Sequence, residues 1–169
     1  MLKLSPSLIA GAVALAAPCA PAGAAVLGPH ATACTPGKPA MLVRVEGLKS
    51  RAGMVRVQIY GGDPAHYFEK GAYLERVEVK PPATGPVEVC MPVTHPGTYA
   101  VSVRHELGDG KLADGGGMSG NPDFSLMDVV FKRRPSPIQV QVQVRGLTPV
   151  PVVMNYVRGT SVGPASASR

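Results

Sequence analysis

The sequence predicts an all-β protein folded as an antiparallel Greek-key β-sandwich of about seven to eight strands. Apolar and polar residues alternate with a period of two in several separate runs, which is typical of strands with one buried face. Eighteen prolines and twenty glycines punctuate these runs, so that turn signals recur about every eight to twelve residues. Segments with the period of an amphipathic helix are missing.

The first 25 residues have the pattern of an export signal. Lys3 precedes an apolar stretch at residues 8–17, and small residues at 22–25 provide a cleavage site near Ala24 or Ala25. The stretch is too short to cross a bilayer, so no transmembrane segment is expected. A lipid anchor on Cys19 is disfavoured by Pro18, which precedes it. We therefore expect a periplasmic or secreted protein whose signal peptide is residues 1–25.

The rest of the chain divides into three parts. Residues 26–40 are rich in proline, glycine and alanine and predict an irregular lead-in, residues 41–158 predict the sandwich domain, and residues 159–169 predict a flexible tail. The first two alternating runs of the domain, at 41–46 and 55–60, are interpreted as a hairpin closed by a short loop.

The remaining elements follow from the same pattern. Asp63 and Pro64 predict a short helical turn. Further strands are expected at 72–80, 87–91, 98–105, 129–131, 137–146 and 149–157. In the strand that reaches His105, the alternation predicts that Tyr99, Val101 and Val103 face the core while Ser102 and Arg104 face away.

Two cysteines remain after removal of the signal peptide, Cys34 and Cys90. In an oxidising compartment an isolated pair is most simply a disulfide. No C-x-x-C motif is present, which disfavours redox chemistry.

The net charge of +6 and the pI near 9.5 indicate a mildly basic surface. Nucleic-acid binding is not expected, because the single basic run, Lys132-Arg133-Arg134, has no recognition motif and no interleaved aromatic residues. Binding to an anionic polymer or an anionic membrane surface stays open, without a motif that favours it.

An acidic, glycine-rich segment at residues 108–123 is the main functional candidate. Five of the eleven acids lie between His105 and Asp128, and calcium prefers several oxygen ligands on a loop that can fold around it. The candidate ligands are Asp109, Asp114, Glu106, Asp123 and Asn121. Their spacing is not that of an EF-hand, and an ordinary surface loop is the alternative. No other cofactor is expected.

His105 stands at the end of a strand beside this loop. A histidine there can be a structural residue, a general base or a metal ligand, so a hydrolase that uses His105 is a remote alternative. Ser125 has no nucleophile-elbow sequence around it, and no phosphate-binding loop is present. We therefore expect a protein without catalytic activity, whose candidate functional loop comprises His105, Gly110, Lys111, Phe124 and Ser125.

These residues resemble a bacterial family of secreted proteins known as domain of unknown function number 2141. The likeness covers about residues 41–157 and depends on four matches: Gly97-Thr98-Tyr99-Ala100-Val101, His105-Glu106, Asp109-Gly110-Lys111-Leu112 and Phe124-Ser125. Glu106 stands where the family has aspartate, and Ala113 is an additional residue. The resemblance implies an immunoglobulin-like or transthyretin-like sandwich and no established activity.

The function predicted from these observations is a non-enzymatic, secreted or periplasmic β-sandwich module. Its ligand is unknown, and an envelope component, a glycan or another protein would suit a binding or structural role in the cell envelope. The alternative is a module that binds calcium weakly through the acidic glycine-rich loop.

Overall fold

The computed structural model describes residues 24–108 and 114–165, so almost all of the predicted signal peptide lies outside the described residues. Within these ranges there are two short α-helices, α1 at Leu126–Val130 and α2 at Pro137–Val140, and two 3-10 helices at Ala31–Ala33 and Pro64–His66. Eleven strands are formed within the described ranges: β1 Val26–Leu27, β2 Ala40–Glu46, β3 Met54–Tyr60, β4 Glu75–Val79, β5 Val87–Pro92, β6 Gly97–Glu106, β7 Gly115–Met118, β8 Gln141–Val144, β9 Leu147–Val153, β10 Asn155–Arg158 and β11 Ser161–Pro164. No helix in these ranges is both long and apolar enough to span a membrane.

The strands form two sheets, which confirms the predicted all-β sandwich. The small sheet has the order β1-β5-β2-β9, and the large sheet has the order β11-β10-β7-β6-β3-β4, with β8 paired to the first half of β6. Most pairs are antiparallel, but β1 runs parallel to β5 and β2 runs parallel to β9. The prediction of about seven to eight strands was too low, because β1, β7 and β11 are two to four residues long and carry little alternation.

The core fills the space between the two sheets with the inward residues of the alternating strands. Val43 and Val45 from the small sheet meet Val57 and Val103 from the large sheet, and all four are almost completely buried. Each valine buried in this way contributes about 1.5–3 kcal/mol. The inward direction predicted for Tyr99, Val101 and Val103 is confirmed, since all three belong to this cluster.

A second, smaller layer covers the outer face of the large sheet. Tyr67 packs there with Val140 and Ala100, next to a 3-10 turn at Pro64–His66. Asp63 caps this turn, as predicted, by accepting a hydrogen bond from the Ala65 N–H. Ser102 points away from the main core, also as predicted. It is nevertheless buried, with 7% of its surface exposed, because this face of the sheet is itself covered.

The predicted hairpin of the first two strands was wrong. β2 pairs with β5 and β9 in the small sheet, whereas β3 pairs with β4 and β6 in the large sheet. The connection between them crosses from one sheet to the other, with Gly47 and Gly53 in the left-handed region at φ 75° and 76°. A period of two identifies the buried face of a strand, but it does not identify the neighbouring strand.

Other segments also differ from their predicted structure. Residues 137–140, expected as the start of a strand at 137–146, form α2, and the single strand expected at 149–157 is divided into β9 and β10. The lead-in, expected to be irregular, contains β1. Residues 129–131, expected as a strand, include the end of α1, because Ser125 and Asp128 form a capping box in front of it. The expected tail at 159–169 contains β11, whose Ser161 pairs with Arg158 of β10.

The disulfide between Cys34 and Cys90 is present, with a Cα–Cα distance of 5.7 Å. It joins the lead-in to β5. The lead-in is therefore fastened to the small sheet twice, by this bond and by the parallel pairing of β1 with β5.

Candidate functional site

His105 lies at the buried end of β6 and has no exposed surface. Its Nδ1 lies 2.8 Å from the Tyr156 hydroxyl, and its Nε2 lies 2.9 Å from the Ala52 carbonyl oxygen. A carbonyl can only accept, so the hydrogen bonds assign the proton to Nε2 and make Nδ1 the acceptor of the tyrosine hydroxyl. Both ring nitrogens are engaged, which leaves neither free to act as a general base or to bind a metal.

Tyr156 connects this histidine to the loop before β3. Its hydroxyl accepts a hydrogen bond from the backbone N–H of Lys49 at 3.2 Å while donating to His105. Burial raises the pKa of Tyr156 above the usual value of 10, the nearby Asp114 carboxylate acts in the same direction, and the Lys49 hydrogen bond opposes both. At neutral pH the hydroxyl therefore keeps the proton that it donates.

Asp114 closes the base of the acidic loop. Its backbone N–H donates to the His105 carbonyl at 2.8 Å, and its Oδ2 accepts from the Leu107 N–H at 2.7 Å. Its Oδ1 lies 3.9 Å from Lys49 Nζ. These contacts tie the two described ends of the loop together. Three of the predicted loop residues, Asp109, Gly110 and Lys111, lie outside the described residues.

The glycines that follow form a strand rather than the surface loop expected from the sequence. β7 pairs with the end of β6 on one side and with β10 on the other. A Cβ atom on Gly117 would lie only 2.6 Å from the Val153 carbonyl oxygen, and one on Gly115 would overlap the Tyr156 ring. These glycines allow a close approach between chains.

The other predicted calcium ligands have separate partners. Glu106 points to the opposite face from His105, where its carboxylate lies 2.7 Å from Arg56 Nη1. The Asn121 side chain accepts from the Val153 N–H at 2.7 Å and donates to the Pro151 carbonyl at 3.3 Å. In the part of the chain that the structure describes, no three His, Cys, Asp or Glu side chains are grouped to hold a metal ion. The calcium site stays a prediction.

Ser125 and its neighbour Phe124 precede α1. Ser125 caps the helix, since its hydroxyl donates to Asp128 Oδ2 at 2.6 Å and its oxygen accepts from the Asp128 N–H at 3.2 Å. The hydrogen bonds from the Ser125 hydroxyl and backbone lower the pKa of Asp128 below its usual 3.8. Phe124 is half-buried and belongs to neither buried cluster. Asp123 is exposed.

The sequence reasoning missed a patch of exposed apolar side chains on residues 126–138, which we name the α1–α2 segment. Of the eight large hydrophobic residues exposed in the described part of the chain, five lie within twelve residues of one another: Met127 at 53%, Val129 at 44%, Val130 at 61%, Phe131 at 58% and Ile138 at 81% exposed. Single exposed hydrophobic residues are ordinary, whereas five within one short segment make that segment a candidate interaction surface. Lys132, Arg133 and Arg134 follow directly.

Local hydrogen bonds fix the two short helices of this segment, and burial of Val140 attaches its end to the sandwich. At its start the capping box fixes α1, and the Arg133 N–H donates to the Asp128 carbonyl at 2.8 Å. At its end a second capping box, between Ser136 and Gln139, fixes α2, and Val140 is buried in the second layer. The repeated Ser-x-x-Asp/Gln spacing in front of apolar residues is a helix-start signal that could have revealed both helices.

A polar cleft of about 220 Å³ separates the two short helices. Aspartate and arginine side chains line it together with the residues that cap α2: Asp123, Phe124, Asp128, Arg133, Arg134, Pro135, Ser136 and Gln139. Two long ion pairs cross the region, Arg133 to Asp128 at 3.8 Å and Arg134 to Glu69 at 3.4 Å. The α1–α2 segment therefore presents apolar side chains beside a charged cleft.

Comparison with known proteins places the chain in a bacterial context. Residues 43–147, more than half of the chain, match the model of a family described as "uncharacterized protein conserved in bacteria (DUF2141)". The match includes His105, the acidic loop and the α1–α2 segment. No curated protein and no solved structure matches the chain.

Proposed function

We propose that this chain, which belongs to the DUF2141 family of bacterial proteins, is an exported, non-enzymatic binding module of the cell envelope. The proposal is based on the chemistry of its surface. The α1–α2 segment is its binding surface. The observation that carries the proposal is the concentration of exposed apolar side chains, Met127 to Phe131 and Ile138, on a segment fixed at both ends.

A binding role is favoured over catalysis by the engagement of the candidate catalytic groups. The two ring nitrogens of His105 are used inside the protein, and the Ser125 hydroxyl is used in a helix cap. The Cys34–Cys90 disulfide is consistent with an oxidising compartment, which supports export.

The β9 edge of the small sheet is a poor alternative binding surface. Pro149 and Pro151 remove backbone donors from β9, and the Asn121 side chain occupies the Val153 N–H and the Pro151 carbonyl. Addition of a partner strand needs such groups to be open. The apolar patch is therefore the better candidate.

The proposal is tested by placing a photo-crosslinking amino acid at Val130 in the bacterium that encodes the chain. The matched control is Val157, an apolar residue of β10 that is 50% exposed. We expect an adduct from position 130 and none from position 157. Equal yields at the two positions, or no adduct at either, would overturn the proposal.

A further inference from the structure

We infer that the partner of the α1–α2 segment is the surface of an anionic phospholipid bilayer. The inference rests on the proposed function and specifies the partner that it leaves open. It depends on two properties that occur together in the segment, apolar side chains able to enter the lipid and cations able to meet its headgroups.

The apolar part lies at the end of α1. Val130 and Phe131 are each more than half exposed, and Ile138 at the start of α2 is the most exposed large hydrophobic residue described. Side chains of this kind stabilise peripheral proteins by burial at the boundary between headgroups and acyl chains. Exposure of the same side chains to water does not stabilise the protein.

The charged part follows without interruption. Residues 126–138 contain Lys132, Arg133 and Arg134 against one acid, Asp128, which gives the segment a charge of +2 by count. Arg134 Nη1 donates to Glu69 at 3.4 Å and to the Tyr67 carbonyl at 3.5 Å, and Arg133 Nη1 lies 3.8 Å from Asp128. These contacts use only one nitrogen of each guanidinium, which carries five N–H donors. Donors therefore stay available for phosphate oxygens.

The composition of the patch favours lipid over an acidic protein. Residues that dominate protein–protein binding energy are tryptophan, tyrosine and arginine in a desolvated centre. Here the apolar positions are methionine, valine, isoleucine and a single phenylalanine, and the arginines stand beside them in solvent. Stable attachment to a membrane requires two signals, such as an apolar insertion together with a basic patch.

The test uses the native, disulfide-bonded protein purified from the bacterium and vesicles of phosphatidylcholine with or without phosphatidylglycerol. Co-sedimentation should occur with phosphatidylglycerol present and fall as salt is added. Lys132→Gln should weaken binding about fivefold, whereas the control Lys80→Gln, an exposed lysine after β4, should change it little.

The apolar contribution is tested with the double variant Val130→Ser/Phe131→Ser, which should weaken vesicle binding more than about tenfold. The matched control is Val157→Ser. Failure to sediment with either vesicle, equal sedimentation with both, or equal loss in the controls would overturn the inference. If position 130 still crosslinks to a protein in the bacterium, the proposed function survives that failure. If it crosslinks to nothing, both are overturned.

Discussion

The Tyr156 hydroxyl links β6 to the loop before β3 by hydrogen bonds, and we expect these bonds to stabilise the fold. The hydroxyl donates to His105 and accepts from the Lys49 backbone, so Tyr156→Phe leaves the buried His105 Nδ1 and the partly buried Lys49 N–H without their partner. We expect a loss of about 1–3 kcal/mol in the free energy of unfolding, measured with urea. Tyr73→Phe is the control, because that hydroxyl has no hydrogen bond within residues 24–108 and 114–165. Equal losses in the two variants would contradict the role of Tyr156.

The same residue makes the protein sensitive to alkali. Burial raises the pKa of Tyr156, and burial also raises that of Tyr67. A tyrosine whose folded pKa exceeds its unfolded value stabilises the fold below pH 10 and loses that contribution as the pH rises through the folded pKa. We expect tyrosinate absorbance, compared with that of Tyr156→Phe and Tyr67→Phe, to show that these two residues ionise above their usual range. Ionisation of both residues near pH 10, without unfolding, would refute this.

The role of His105 could be predicted only in part. Alternation along β6 correctly places it on the same face as Tyr99, Val101 and Val103. Its hydrogen-bond partners, Tyr156 and Ala52, lie more than fifty residues away in the chain. Local pattern cannot reveal such partners, so the structural and catalytic alternatives could not be separated by sequence.

At the scale of elements, β7 provides a sharp comparison between neighbouring glycines. A Cβ on Gly117 would lie 2.6 Å from the Val153 carbonyl, whereas one on Gly116 would have its nearest neighbour at 3.6 Å. Gly117→Ala should therefore cost about 1–3 kcal/mol in thermal or urea unfolding, and Gly116→Ala should be tolerated. If Gly116→Ala proves the more damaging substitution, the packing of β7 against β9 is wrong.

β7 also shows why some elements were not predicted from the sequence. Strand prediction depends on side-chain alternation, and three of the four residues of β7 are glycine. α1 escaped for a different reason: its five residues are too short to show a helical period. Its cap, Ser125-x-x-Asp128, was the only local signal. β7 is therefore recognised only from its pairing with β6 and β10, whereas the cap is a signal from which the start of α1 could have been predicted.

At the scale of the whole molecule, the Cys34–Cys90 disulfide joins residues 56 positions apart. The chain-entropy model gives about 4 kcal/mol for a loop of that length. Cys34→Ser/Cys90→Ser should therefore unfold at a clearly lower urea concentration, with little change in the native circular dichroism spectrum. An unchanged midpoint would mean that the bond adds nothing to the stability of the sandwich.

The sandwich and most of its core followed from sequence because they depend on a local property, the period of two in runs such as Met41–Glu46 and Val55–Tyr60. The pairing of strands did not follow. β2 and β3 were predicted to form a hairpin but lie in opposite sheets. The prediction failed because two consecutive strands show the same alternation whether they pair in one sheet or face each other across the core.

The central claim is that the buried hydrogen bonds around His105 have a structural role and that the α1–α2 segment is the binding surface. The most direct test is the adduct yield from a photo-crosslinker at Met127 in the Val130→Ser/Phe131→Ser background, once urea unfolding has shown a stability change within about 0.5 kcal/mol. We expect the yield to fall to that of a probe at Val157. An undiminished yield, or a loss of stability as large as that of Tyr156→Phe, would contradict the claim.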